Sequence, residues 1–164
     1  MNEIAYVLEK ESFRMHDKIK EYVRAPLNEK PDFTYTNPDF KIIYAKFVLG
    51  GLIIAFDENH NIMIFNDRCE KLQMLPYGKQ AMDAVASDTH IFIGIYHNRV
   101  LILERKFPFT VVSKVDTDKK ILCMCRNELH EIRVCGEDEL SFYINEHTFA
   151  KKFTKFSSPY FTIV

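Results

Sequence analysis

The sequence contains no tryptophan, and only 5 of its 164 residues are glycine and 4 are cysteine. Four cysteines are too few for a disulfide-stabilised scaffold, and five scattered glycines cannot form a glycine-rich phosphate-binding loop. No apolar run reaches the ~18–20 residues that a membrane-spanning helix needs. The first residues also lack the basic and apolar regions of a secretory signal. We therefore expect a cytoplasmic protein, with the nucleus as the alternative, whose thiols are reduced.

An excess of charge of either sign is also missing, because the formal net charge is -1. A nucleic acid or an anionic membrane would have to be bound by a local patch and not by a field over the whole chain. Aromatic residues are abundant instead, with 14 Phe and 8 Tyr. Both residue types favour strands. The apolar fraction of 47% is that of an ordinary globular domain with its own core.

Residues 1–40 form the least regular part of the sequence and predict a short helical or irregular N-terminal segment with a linker. Ser12 is a suitable N-cap for an amphipathic helix over residues 12–24, and Pro26 would end it. The alternative reading places two strands there, at residues 4–8 and 13–19. Three prolines within residues 26–40 indicate a loop that wraps the domain.

From residue 41 the pattern changes to short apolar runs separated by polar turns, and the same arrangement is repeated three times. The repeats cover residues 41–79, 80–117 and 118–153, and residues 154–164 remain as a tail or closing strand. The first turn of each repeat, at Gly50, Asp88 and Asn127, recurs at intervals of roughly 40 residues. The runs predict strands at 42–48, 52–56, 62–65, 72–75, 82–86, 91–96, 100–103, 109–112, 121–125, 129–134, 140–144 and 149–153. We expect the first strand of a repeat to be shielded on both faces, because 42–48 and 121–125 are nearly all apolar.

Over residues 41–153 this repeat resembles a β-propeller blade of WD40-like length, without the Gly-His and Trp-Asp signatures of that family. The third strands end instead in Phe65-Asn66, Leu103-Glu104 and Ile144-Asn145. The resemblance implies a mainly β fold of antiparallel four-stranded repeats, in a small or partial β-propeller. Another antiparallel barrel or sandwich is the alternative. Three repeats are fewer than the smallest ring, so residues 4–8 and 159–164 would complete a fourth blade, or a bare edge would dock on a partner.

Cys123 and Cys125 are the strongest candidates for a metal or redox site, with Cys135 nearby. Alternate residues of a strand share a face, so the two side chains would point the same way. Structural zinc sites use wider spacings and four ligands. We therefore expect these cysteines to be small buried core residues, and a metal or redox site as the alternative.

Histidines and basic residues supply two further candidate sites. His60 and His97 fall in equivalent turns and would lie on one rim of a propeller, as a binding surface or as ordinary turn residues. After Glu146 the sequence contains no acid. Ammonium groups and aromatic rings suit phosphates and unpaired bases. The tail residues that predict an RNA or partner contact are Lys151, Lys152, Phe153, Lys155, Phe156, Tyr160 and Phe161. The alternative assigns 149–153 to an outer strand with solvated lysines.

No nucleophile elbow, P-loop or histidine metal motif occurs in the sequence, so we expect no catalysis, no cofactor and no small-molecule substrate. The sequence predicts a non-catalytic adaptor that docks on a large macromolecular assembly, away from membranes. The first alternative is a ribonucleoprotein-bound factor, such as a ribosome-binding factor for dormancy or inactivation, anchored by the tail. The second alternative is the metal or redox protein that uses Cys123 and Cys125.

Overall fold

The computed structural model describes residues 33–36, 40–77, 79–96, 98–118, 120–137 and 141–154. Over these ranges the chain forms twelve strands and no helix. None of the described segments is therefore a long apolar helix of the kind that crosses a membrane. The strands are β1 (Ile42–Val48), β2 (Leu52–Asp57), β3 (Asn61–Phe65), β4 (Lys71–Pro76), β5 (Ala81–Ala86), β6 (His90–Ile95), β7 (Arg99–Glu104), β8 (Val111–Asp116), β9 (Ile121–Arg126), β10 (Glu131–Gly136), β11 (Ser141–Asn145) and β12 (Lys151–Thr154).

Three antiparallel sheets of four strands account for all twelve strands, and each sheet follows the chain order without a crossover. The chain divides into two compact units, Met1–Gly78 and Lys79–Val164. The first unit contains the sheet β1–β4, and the second contains the sheets β5–β8 and β9–β12. A simple up-and-down order arises because short polar turns can join only neighbouring antiparallel strands.

One face of the sheet of the first unit carries a cluster of buried apolar residues. Ile42 and Ala45 of β1, Ile53 and Ala55 of β2, and Met63 and Phe65 of β3 form this cluster. Tyr35 covers it, with its ring centroid 4.7 Å from that of Phe65. Gly50 and Gly51, with φ of 88° and 76°, form the β1–β2 turn in the left-handed region that glycine adopts without strain.

The second unit has one core between its two sheets. Phe92, Val100 and Ile102 come from the sheet β5–β8, and Ile121, Met124, Ile132, Val134, Phe142 and Ile144 come from the sheet β9–β12. Gly94 permits the close approach, because a Cβ atom there would lie 3.1 Å from Ile121 Cγ2 and 3.3 Å from Met124 Sδ. This packing buries the apolar face of each sheet.

A buried carboxylate joins the two sheets of the second unit. Asp83 of β5 is 8% exposed. Its Oδ2 accepts a 2.8 Å hydrogen bond from the backbone amide of Met124 in β9, and its Oδ1 accepts one from the amide of Ala84. The carboxylate therefore fixes β9 beside β5 at a defined position.

Most strand boundaries agree with the prediction to within one residue. Three strands begin two residues later than predicted, at Val111, Glu131 and Lys151, and two of them also end later, at Asp116 and Gly136. Left-handed residues precede them: Phe109 (φ 44°), His130 (φ 58°) and Phe149 (φ 62°). These residues end the turns, as in hairpin loops where a type I turn precedes a left-handed residue. The left-handed position at the end of such a turn is most often occupied by glycine. Because Phe or His occupies it here, the sequence pattern extends the strand prediction over the turn residue.

The expectation that the first strand of each repeat is shielded on both faces is wrong for β1 and β9, whereas β5 has no exposed residue. Ile43 and Phe47 of β1 and Leu122 of β9 are exposed. The strands buried on both faces are instead β2, β3, β6 and β7, the second and third of their sheets. β1 and β9 lie at the ends of the sheet order, where side chains of an adjacent strand cover each face from one side only.

Several sequence predictions fall outside the described residues. The helix or strands expected in residues 1–32 and the closing strand expected in residues 159–164 lie there. These stay predictions.

Candidate interaction rim

Four connections of the second unit lie at one end of its two sheets. In an antiparallel meander, alternate turns emerge at the same end. The turns β5–β6 and β9–β10 lie side by side, because Arg126 Nη2 is 3.7 Å from Asp88 Oδ2. The turns β5–β6 and β11–β12 are neighbours as well, since the rings of His90 and Phe149 have centroids 4.9 Å apart. We name the turn residues 87–89, 105–110, 127–130 and 146–150 the turn rim.

Side chains stiffen these turns by accepting hydrogen bonds from backbone amides. Asn127 Oδ1 accepts from the amides of Leu129 at 3.0 Å and Glu131 at 2.9 Å. Asn145 Oδ1 accepts from the amides of His147 and Thr148. Ser87 Oγ does the same in the β5–β6 turn. Backbone amides in a turn have no partner strand, and the short Asn and Ser side chains accept their hydrogen bonds instead. These bonds hold the backbone of three of the four turns in the turn rim.

Two large apolar side chains project from this ordered backbone. Leu129 in the β9–β10 turn is 74% exposed and Phe107 in the β7–β8 turn is 72% exposed, more than any other large apolar residue that the structure describes. Arg105 Nη1 donates a 2.8 Å hydrogen bond to the carbonyl of Ser87, which holds the β7–β8 turn against its neighbour. Apolar projections surrounded by polar groups are typical of contact points between proteins.

A buried carboxylate forms the polar centre of the turn rim. Glu146 is 1% exposed. It accepts two hydrogen bonds from Arg126, at 2.7 Å from Nε and 2.9 Å from Nη2. His130 Nδ1 lies 3.1 Å from Glu146 Oε1, and His147 Nε2 lies 3.6 Å from it. The hydrogen bonds from Arg126 hold the pKa of Glu146 below its usual value, and the two histidines add to this lowering.

Catalytic use of this cluster is not indicated by its geometry. The Arg126 fork occupies both carboxylate oxygens of Glu146, and its hydrogen bonds favour the charged form, so Glu146 is a poor proton donor at neutral pH. Among the residues that the structure describes, no group of three or more His, Cys, Asp or Glu side chains is arranged to hold a metal ion. The cluster has a structural role, because it links the β9–β10 and β11–β12 turns to Arg126 at the end of β9.

No protein-family model matches the chain, and no curated protein matches it. Solved structures do. Sqt1 of Saccharomyces cerevisiae has a TM-score of 0.64 at 12% identity, over 76% of this chain and 38% of Sqt1. The Cps50 (Swd1) β-propeller domain of Myceliophteria thermophila has a TM-score of 0.59 at 8% identity, over 74% of this chain and 41% of that one. A structure of the mitotic checkpoint complex gives 0.66 at 11% identity, over 82% and 45%.

The sheets are β-propeller blades. We number them blade 1 (β1–β4), blade 2 (β5–β8) and blade 3 (β9–β12). The predicted fold class, mainly β with antiparallel four-stranded repeats of a small or partial propeller, is confirmed. Three separate sheets also exclude a single closed barrel over the described residues. At these identities the likeness concerns the fold alone. The chain spans less than half the length of each of these three proteins.

Of the predicted tail residues, Lys151 already uses its ammonium group in contacts within the protein. Its Nζ donates a 2.9 Å hydrogen bond to the carbonyl of Asp116 and lies 3.4 Å from Asp118 Oδ2. It also lies 4.7 Å from the centre of the Phe153 ring and 5.5 Å from that of Phe142. Lys151 thus joins the outer strand of blade 3 to the end of blade 2, and phosphate binding would have to break these contacts.

The remaining tail residues divide into two groups. Lys152 is exposed and lies opposite Tyr143 in the sheet. Phe153 is 59% exposed, and its ring centroid is 6.1 Å from that of Phe142. Lys155, Phe156, Tyr160 and Phe161 lie outside the described residues. The predicted tail contact therefore stays a prediction, with Lys151 unsuited to it.

The two histidines of the predicted rim surface cannot be compared, because His97 lies outside the described residues. His60 has a left-handed backbone, with φ of 64°, and its amide donates to the carbonyl of Asp57 at 3.1 Å. Its Nδ1 is buried without a hydrogen-bond partner in the structure. His60 lies in the β2–β3 connection and does not belong to the turn rim.

The expectation that Cys123 and Cys125 are core residues is wrong, because both are exposed. Met124 between them points into the core, so the cysteines occupy the opposite face of β9. Partial desolvation of the sulfur and a hydrogen bond with Cys135 raise the pKa of the Cys123 thiol to about 11. A run of apolar residues does not show that one face of its strand is exposed to solvent. The burial of Cys123 and Cys125 was therefore wrongly predicted.

The turn rim itself was not found in the sequence. The sequence predicts a strand at Leu129 and gives no signal at Phe107. One usable signal is present: Asn127 and Asn145 lie two residues before Leu129 and His147, and Asn favours the start of a turn. The pairing of Arg126 with Glu146 depends on tertiary structure and has no local signal.

Proposed function

We propose that this chain is a non-catalytic interaction module that docks on a larger protein assembly through the turn rim. The observation that carries the proposal is the pair of exposed apolar tips, Phe107 and Leu129, on a backbone held by side-chain hydrogen bonds. Large apolar side chains that project from a surface can be buried in pockets of a partner, where such anchors supply much of the binding energy. An ordered surface loses little conformational entropy on binding, which favours affinity.

The fold and one structural neighbour support a protein partner. Blades of a repeat fold present broad, rigid surfaces. The mitotic checkpoint complex, whose structure contains one of the neighbours, is by its name an assembly of several components. Lys151 is held by Asp116 and Asp118, which leaves fewer basic groups for RNA than the sequence indicates. A protein partner is therefore favoured over a ribonucleoprotein contact through RNA.

The test is site-directed photo-crosslinking in cells combined with affinity capture. A photo-crosslinking amino acid replaces Leu129 in one variant and Leu122, an exposed apolar residue of β9, in a matched control. A second pair consists of two double variants. The rim variant carries Phe107→Ser and Leu129→Ser, and the control variant carries Val112→Ser and Leu122→Ser. We expect a discrete protein adduct from position 129, resistance of the captured complex to nuclease, and at least about tenfold weaker capture only for the rim variant.

Two results would contradict the proposal. Equal capture by the rim variant and the control variant would exclude the turn rim as the contact surface. Loss of the complex after nuclease treatment, together with release by Lys152→Glu, would show that RNA and not protein is the partner.

A further inference from the structure

Blade 3 places two cysteines directly opposite each other. Cys123 of β9 and Cys135 of β10 are partners in the antiparallel register. The Cα atoms of opposed residues lie about 4.5–5.5 Å apart, within the range of roughly 4.4–6.8 Å that a disulfide tolerates. The Cys135 thiol is also among the groups that raise the pKa of the Cys123 thiol. Both cysteines are free, with Cys123 exposed and Cys135 half-buried.

Cys125 cannot replace either member of the pair. Its register partner is Arg133, so Cys125 and Cys135 are diagonal neighbours, with Cα atoms about 7–8 Å apart. Cys125 and Cys123 point the same way from one strand with Cβ atoms about 6.6 Å apart, whereas a disulfide needs Cβ atoms about 3.5–4.5 Å apart. The sheet therefore pairs Cys123 with Cys135. The sequence pattern had indicated Cys123 and Cys125 instead.

We propose that Cys123 and Cys135 are a dithiol site that a small disulfide, such as oxidised glutathione, converts reversibly into a cross-strand disulfide. The Cys123 thiol loses its proton, and the thiolate attacks one glutathione sulfur. A mixed disulfide forms at Cys123 and one glutathione thiolate leaves. The Cys135 thiol then loses its proton and attacks Cys123 Sγ, which expels the second glutathione thiolate. Two protein thiols are oxidised, one glutathione disulfide is reduced, and the two released protons yield two glutathione thiols.

Exposure decides the order of these steps, because an oxidant reaches Cys123 before the half-buried Cys135. Desolvation raises the pKa of the Cys123 thiol most, and Cys135, Asp83 and Cys125 raise it further, so all of them disfavour the thiolate. Arg133 lies beside Cys135 on β10, opposite Cys125. Since only the thiolate attacks, we expect the rate of oxidation to rise about tenfold per pH unit between pH 7 and 9.

The site lies next to an irregularity in the sheet. Beyond the pair Cys123–Cys135 the next register pair is Ile121–Gly136, so Leu122 is an extra residue of a β-bulge. The bulge lets Ile121 enter the core while Leu122 is exposed. A disulfide would fix this register and raise the melting temperature of the oxidised protein.

The test uses the intact protein, equilibrated with reduced and oxidised glutathione and then alkylated and digested with trypsin. Cleavage after Lys120, Arg126 and Arg133 places Cys123 and Cys125 on one peptide and Cys135 on another. We expect a disulfide-linked pair of these peptides with Cys125 alkylated, the same link in Cys125→Ser, and none in Cys123→Ser or Cys135→Ser. A dithiol-specific arsenical should bind the reduced wild type and Cys125→Ser at least tenfold more tightly than the other two variants.

Other linkages would overturn the proposal. These are a link from Cys125 to Cys135, a link between two molecules, or fully alkylated cysteines at saturating oxidised glutathione. Equal arsenical binding by all three serine variants would likewise show that the sheet does not pair the thiols.

Discussion

Lys151 belongs to a basic segment of the sequence, but its ammonium group makes contacts within the protein. Its ammonium group is shared between the Asp116 carbonyl, the Asp118 carboxylate and two aromatic rings. Cation–π contacts and charged hydrogen bonds favour this position over solvent. The residue therefore stabilises the junction of blades 2 and 3, a role that its place in a lysine-rich sequence conceals.

Replacement of Lys151 by Met should test that role. Methionine keeps most of the apolar stem but loses the charge, so we expect the free energy of unfolding in urea to fall by about 1 kcal/mol. Partner capture should be unchanged. Lys152→Met is the matched control at an exposed site, where a change within about 0.5 kcal/mol is expected. Unchanged stability in Lys151→Met together with lost capture would show that Lys151 contacts a partner instead.

Replacement of Glu146 by Gln should alter stability in a pH-dependent way. Arg126 lowers the folded-state pKa of Glu146, so its contribution is fully present above the unfolded-state pKa of about 4.3. That contribution is lost as the pH falls through the folded-state value. At pH 7 we expect Glu146→Gln to lose about 2 kcal/mol of unfolding free energy.

Urea titrations at a series of pH values from neutral to acid would measure this effect. The difference between wild type and Glu146→Gln should shrink as the solution is acidified below pH ~4. The exposed Glu128 in the neighbouring turn provides the control Glu128→Gln, for which little change is expected. A difference that is constant over the whole range would mean that the charge of Glu146 does not matter.

At the scale of strands, the contact between β5 and β9 depends on one carboxylate. Asp83 accepts the amide proton of Met124, a backbone group that would otherwise be buried without a partner. An unsatisfied buried amide costs about 1–3 kcal/mol. A polar group inside an otherwise apolar contact also fixes the position of β9, because only one register satisfies it.

Asp83→Ala should therefore destabilise the second unit by about 2 kcal/mol. It should also accelerate hydrogen exchange at the Met124 amide relative to other β9 amides. Asp83→Asn keeps one oxygen acceptor and should show a smaller change of the same kind. Exchange at Met124 that is identical in Asp83→Ala and wild type would mean that the carboxylate does not hold β9.

The strands were predictable from sequence because alternating apolar runs and polar turns report local geometry. The turn at Gly50-Gly51 and the turn after Asp57 carry residues whose conformational preferences are strong. The late starts of β8 and β12 were not predictable, because Phe109 and Phe149 adopt a conformation that usually belongs to glycine. The pairing of Cys123 with Cys135 and the contacts of Lys151 depend on register and tertiary packing, which a single sequence does not encode locally.

At the scale of the whole molecule, the balance of 22 basic and 23 acidic residues leaves no large field to attract a charged partner. An interface centred on Phe107 and Leu129 should then depend weakly on salt. We expect the affinity for the captured partner to change less than about tenfold between roughly 50 and 300 mM salt. A contact that neutralises several phosphates would weaken far more steeply, and a steep dependence would contradict a protein-based interface.

The hydrogen bonds that Asn127 makes within its turn have a consequence for sequence change. Since Asn127 Oδ1 already holds the amides of Leu129 and Glu131, residues 128 and 129 are not needed to shape the loop. Their side chains can be exchanged at little cost in stability, provided that Asn127 is kept. Blade 3 thus offers a grafting position, where foreign recognition residues could be displayed and new specificities selected without redesign of the sheet.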